Sequence, residues 1–159
     1  MMFQKMMRQV LTAAVVAGAA VAGVAAPVQA AEPTCNSYGR ALLEHQEDGI
    51  YVPLYNNNET CKLTPGDTNN GVLGLQKNLN RCARVFINNS GWTDLQFSTL
   101  SEDRDFGPNT KAALIKAQKA INRELGVGIA TDGGYGPQTR KWLEYFDVDG
   151  GCGQLAGQP

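Results

Sequence analysis

The chain has 159 residues, with 14 lysines and arginines, 15 aspartates and glutamates, four cysteines and one histidine. Near neutrality excludes a strongly basic protein that holds nucleic acid by neutralising phosphates. A single histidine excludes most zinc hydrolases, which draw two or three ligands from that residue type.

The N-terminal thirty residues read as a secretory signal peptide. Lys5 and Arg8 form a positive start, Leu11 to Ala26 is a run of Ala, Val and Gly, and Val28-Gln29-Ala30 offers small residues at a cleavage site. The run is short and Ala/Gly-rich for a membrane span, so an export address is expected rather than a lasting anchor. Without residues 1–30, twelve cationic side chains face fifteen acidic ones, a net charge of −3. Such a charge argues against electrostatic adhesion to an anionic surface. The mature product is expected to be an exported, soluble monomer, with no nucleic-acid partner, no membrane partner after cleavage and no cofactor.

Cys35, Cys61, Cys82 and Cys152 all lie in the mature part. An even number in a small exported protein implies two disulfides. Free buried thiols are the plainer alternative, and no Cys-x₂₋₄-Cys pair points to zinc. Of three possible pairings, Cys35–Cys61 and Cys82–Cys152 are favoured: the first closes a local loop, the second ties a helix end to the C-terminal tail.

Residues 31–65 read as a polar, irregular N-terminal extension with one strand-like stretch, Ile50 to Tyr55, demoted to an edge by Pro53. After Pro65-Gly66-Asp67 the pattern turns helical. Val72, Leu75, Gln76, Leu79 and Cys82 make one stripe, with Thr68 or Asn69 as its cap. Val85-Phe86-Ile87 and Leu95-Gln96-Phe97 read as short strands around Asn88-Asn89-Ser90-Gly91. A second helix carries Ala113, Leu114, Ala117, Ile121 and Leu125, with Gly126 as its stop. A third follows Gly136, with Trp142, Leu143 and Phe146 on one side, and the tail covers 147–159.

An internal repeat organises this pattern. Asp103-Arg-Asp-Phe-Gly-Pro-Asn-Thr-Lys-Ala-Ala-Leu114 recurs 29 residues later as Asp132-Gly-Gly-Tyr-Gly-Pro-Gln-Thr-Arg-Lys-Trp-Leu143, with five of twelve positions identical and three conservatively changed. Two similar helix starts are therefore expected. Pro108 and Pro137 suit the first helical position, Gly107 and Gly136 the turn before it, and Phe106 and Tyr135 a corner of the core, with Thr110 and Thr139 in the first turn. All eight explain themselves as architecture without a ligand.

The series Gly66-Asp67…Val72-x-x-Leu75-Gln76-x-x-Leu79, then Asp103 to Gln118, then Asp132 to Leu143, resembles the peptidoglycan-binding-like domain, most closely its actinobacterial secreted type. The resemblance implies a mainly α fold: a small three-helix bundle over 66–146 carrying both Phe/Tyr-Gly-Pro-x-Thr helix starts, beside a disulfide-stapled irregular extension. It also implies a secreted, non-catalytic protein that binds peptidoglycan of the bacterial cell wall. The chain departs from the family at Arg104, where Asp-Gly is usual, in the longer segment Val85–Glu102, and in having no attached enzymatic domain. The longer segment bears on whether a ligand groove stays open.

Exposed aromatics would serve wall binding by stacking on sugar rings or peptide stems. Trp92, Tyr51 and Tyr55 are the candidates, while Trp142 falls at a core position. The alternative is an exported protein-interaction module built on the same fold. Catalysis ranks third. His45 stands alone in a polar stretch, and Glu44, Glu47, Glu102, Asp103, Asp105 and Glu124 supply carboxylates for a muramidase without forming a visible pair. Asp103-x-Asp105 and Asp147-x-Asp149-Gly150 hint at calcium, but Leu114 and Gln158 occupy the twelfth positions, where an acid is needed.

Overall fold

The computed structural model describes residues 31–43 and 46–155, the side chains at 42–48 excepted. The expected signal peptide, His45 and the carboxylates of Glu44 and Glu47 lie outside these described residues.

Helices and two small antiparallel sheets share one core, which corrects the mainly α bundle expected above. Residues 31–65 are not an irregular extension. They contain a hairpin, β1 (Ser37–Leu43) and β2 (Gln46–Leu54), paired as Ser37↔Leu54, Gly39↔Val52 and Ala41↔Ile50. Ile50, Val52 and Leu54 of β2 are buried with Leu63 in the main core. The local pattern concealed the hairpin because β1, Ser-Tyr-Gly-Arg-Ala-Leu-Leu, has no apolar alternation of its own. Its conformation depends on its partner.

α1 (Asn70–Asn78) starts at Asn69, whose side chain accepts a hydrogen bond from the Val72 N–H at 3.1 Å. Gly71 and Gly74 let the hairpin approach this helix. A Cβ at Gly74 would stand 2.4 Å from the Cβ of Tyr38, and one at Gly71 would stand 2.8 Å from the Cβ of Cys35. Lys77 completes the contact by donating to the Tyr38 hydroxyl at 2.9 Å. One π-helical turn, Leu79–Ala83, joins α1 to α2 (Arg84–Asn89). Val85-Phe86-Ile87 is therefore helical, not a strand, and Leu95 closes a single 3₁₀ turn, Thr93–Leu95. The wider turn keeps Leu79, Cys82, Ala83 and Ile87 all buried.

α3 (Pro108–Leu125) ends at Gly126, which takes the left-handed conformation at φ 66°. α4 (Pro137–Trp142) is shorter than expected: Leu143 is already extended, and Phe146 belongs to β3 (Tyr145–Phe146) rather than to a helical face. β3 pairs with β4 (Cys152–Gly153), so the tail is partly sheet. Two disulfides close the fold, Cys35–Cys61 and Cys82–Cys152. They indicate an oxidising, extracellular setting, and among the described residues no helix is long and apolar enough to cross a membrane.

The repeat has a physical core that its motif only outlines. The side-chain amide of buried Gln76 donates to Asp103 Oδ1 (2.8 Å), the Asp105 carbonyl (3.0 Å) and Thr110 Oγ1 (3.2 Å), and its oxygen accepts from the Arg104 N–H. Gln118 repeats the pattern. It donates to Asp132 Oδ1, the Gly134 carbonyl and Thr139 Oγ1, and accepts from the Gly133 N–H. Each helix thus clamps the loop that starts a later one. Phe106 and Tyr135 are buried at the two corners, and both bond through their backbones to the connector at 63–67.

Arg104 and Gly133 hold equivalent places in the two clamps, with φ of 68° and 74°. Only glycine adopts that region without a steric penalty. Arg104→Gly is therefore expected to stabilise the protein by about 0.5–1 kcal/mol, after allowing for the greater freedom of glycine in the unfolded chain. Urea denaturation reads the change, and a loss of stability would show that the Arg104 side chain holds the loop.

Candidate groove beside the first helix start

The segment Gln96–Glu102, extended at Gln96, runs without helix or strand from the 3₁₀ turn to the first clamp. Asn80, buried in the π-helical turn, holds it on both sides. Its amide donates to the Leu100 carbonyl at 3.0 Å and its oxygen accepts from the Leu100 N–H at 2.8 Å. Lys116 of α3 donates to the Gln96 carbonyl. Along this segment, among the described residues, Ser98, Thr99 and Ser101 make no hydrogen bond.

The held segment and the first turns of α3 face each other across a groove of about 830 Å³. Its walls carry Ser98, Thr99, Ser101, Asp103, Asn109 and Lys116. From the long segment, Asn88 and residues 96–101 form one wall of this groove. The surface is rich in hydroxyls, amides and backbone edges, suited to hydrogen-bonded recognition of a sugar or an extended peptide.

The aromatic candidates do not converge here. Tyr51 stacks on Phe146 with ring centres 4.9 Å apart, and Tyr55 follows β2 at the surface. Trp92 packs edge-on against Phe86 at 5.5 Å, with the Arg123 guanidinium 5.2 Å from its ring centre. Arg123 is also paired with Asp94 at 2.7 Å. None of Trp92, Tyr51 and Tyr55 lines the groove, and Trp142 is half-buried against the core. Sequence reasoning missed the groove's real determinants, Asn80 and the segment it holds. The available signal was a run of amides, Gln76, Asn78 and Asn80, among residues otherwise destined for the interior.

Two of the carboxylate candidates, Asp103 and Asp105, reach the groove. The Gln76 amide, helped by the Asp105 N–H, holds the Asp103 carboxyl below the usual carboxylate range. It is ionised at neutral pH and poorly suited to donate a proton. The calcium-like stretches are Asx turns: Asp103 Oδ1 accepts from the Asp105 N–H, and Asp147 Oδ1 from the Asp149 and Gly151 N–H groups.

One carboxyl is displaced the other way. Burial, then the nearby Glu124 charge, pushes Glu144 up. A group that is harder to ionise when folded destabilises the fold at pH values where it must be charged. Its contribution is favourable below the ordinary carboxylate range and is lost as pH rises through the raised value. Glu144→Gln is expected to raise the thermal midpoint at pH 7, with the gain shrinking towards pH 4. A gain that grew on acidification would contradict this sign.

Comparison with known proteins adds no identity: no protein-family model, curated protein or solved structure matches the chain.

Proposed function

We propose that the chain is an exported, non-catalytic protein that binds peptidoglycan in the groove between Gln96–Asp103 and the start of α3. The observation that carries this reading is the groove itself, about 830 Å³ and open, with a wall whose Ser98, Thr99 and Ser101 are available to a ligand. The likeness of both Asp-x-x-aromatic-Gly-Pro-x-Thr blocks to the peptidoglycan-binding-like domain supports the choice of ligand. The two disulfides are consistent with a cell-wall location outside the membrane. With a mature net charge of −3, recognition rests on shape and hydrogen bonds, and a sacculus retains a modest binder by presenting many copies of the same site. Co-sedimentation of the mature protein with purified sacculi tests the reading. Retention at micromolar concentration without release of soluble fragments is expected; a protein left in the supernatant refutes wall binding, and released fragments refute the non-catalytic part.

A further inference from the structure

A second cavity, of about 270 Å³, lies among α2, α3 and the turn from α4 to β3. Its wall is mostly apolar, and Phe86, Ile121, Leu125 and Trp142 contribute its larger faces. The charged side chains that line it are both acidic, Glu124 from α3 and Glu144 from the turn. Glu144, partly buried against the apolar wall, loses hydration, and the exposed Glu124 repels it. A neutral sugar would leave both effects in place. A bare metal ion would leave the apolar wall uncovered. A flexible hydrocarbon stem ending in one positive charge answers both.

We infer that this cavity receives the side chain of a diamino acid, its methylenes against Phe86, Ile121, Leu125 and Trp142 and its terminal ammonium between Glu124 and Glu144. The Trp142 ring accepts an ammonium elsewhere in the chain, since Lys141 lays its own 4.6 Å from the ring centre. The cavity volume accommodates a lysine-sized side chain. Burial first, and then the Glu124 charge, raise Glu144; an ammonium between the carboxylates opposes both, so binding and ionisation of that group reinforce each other. Assignment of the source to the diamino acid of a wall peptide stem rests on the peptidoglycan reading. The chemistry of the cavity does not.

The experiment titrates the mature, disulfide-bonded protein with Nα-acetyl-lysine methylamide, and separately with the norleucine analogue, which keeps the stem and lacks the charge. Amide NMR shifts are followed at Ile121–Leu125 and Trp142–Glu144. The lysine probe is expected to perturb both stretches and the norleucine probe to bind at least about tenfold more weakly, the effect of losing a charge-assisted hydrogen bond. Glu144→Gln, which the pH argument expects to fold at least as well, and Glu124→Gln are each expected to weaken the lysine probe to the same degree. Equal binding of the two probes, or no perturbation of the cavity, overturns the inference. Sacculus retention without lysine-probe binding overturns it and leaves the peptidoglycan reading intact. Lysine-probe binding without sacculus retention supports the cavity and refutes the wall as its source.

Discussion

Replacing Cys82 and Cys152 together by serine is expected to lower stability by about 4 kcal/mol, the value for freeing a loop of this length in the unfolded chain. The bridge spans a separation of 70 residues and joins the π-helical turn to β4. β4 has only two residues and pairs with a β3 of the same length, which is too little ladder to persist alone. Loss of the bridge should therefore release the C-terminal sheet as well as destabilise the whole. Phe146, whose N–H donates to the Asn78 side chain at 3.0 Å, would report the release through faster hydrogen exchange. The Cys35–Cys61 pair closes a separation of only 26 residues, so its removal should cost somewhat less, about 3.5 kcal/mol. Urea denaturation of both double variants tests the ranking. A loss below about 1 kcal/mol for Cys82/Cys152 would mean that the tail is held by packing alone.

The second large effect is expected at the glutamine clamps. Gln118 is fully buried, and its amide serves the Asp132 carboxylate, the Gly134 carbonyl, the Thr139 hydroxyl and the Gly133 N–H. Gln118→Ala leaves these groups without their partner, and each buried group so orphaned costs about 1–3 kcal/mol. Part of that is recovered, since Thr139 keeps its own bond to the Gly134 carbonyl and Asp132 its bond to the Gly134 N–H. A net loss of about 3–4 kcal/mol is expected, and a similar one for Gln76→Ala. Gln118→Glu preserves size but sets a carboxylate against Asp132 and two other oxygens, so it should not rescue. Rescue by Glu, or a loss under about 1 kcal/mol for Ala, would show that the loops hold their shape without the clamp.

These clamps also show where the sequence was legible. The repeat, the two Gly-Pro helix starts, the Asn69 cap, the Gly126 stop and the buried stripe of the first helix are all local, and local spacing reveals them. Gln76 even appeared within the apolar stripe, although nothing near it in sequence says that its amide reaches a loop 27 residues away. The hairpin was hidden for the same reason, because β1 carries no apolar alternation and depends on its pairing to β2. Val85-Phe86-Ile87 has the composition of a strand but continues the helix in front of it, where burial of Ala83 and Ile87 decides. The groove depended on two long-range contacts, Asn80 to Leu100 and Lys116 to Gln96. Aromatic residues chosen for their chemistry alone pointed elsewhere, since Tyr51 and Trp92 are engaged with Phe146 and Phe86.

Ala112 lines the groove from the exposed face of α3, outside the core and with no side-chain bond in either clamp. Ala112→Trp should fill the groove and leave the fold intact, as circular dichroism and the thermal midpoint would confirm. Co-sedimentation with purified sacculi, run side by side on the wild-type and Ala112→Trp proteins, is the most direct measurement of whether this groove holds the wall. Retention of the wild type and its loss in the folded variant is the predicted result. Equal retention of the two, or none of the wild type at micromolar concentration, would contradict it.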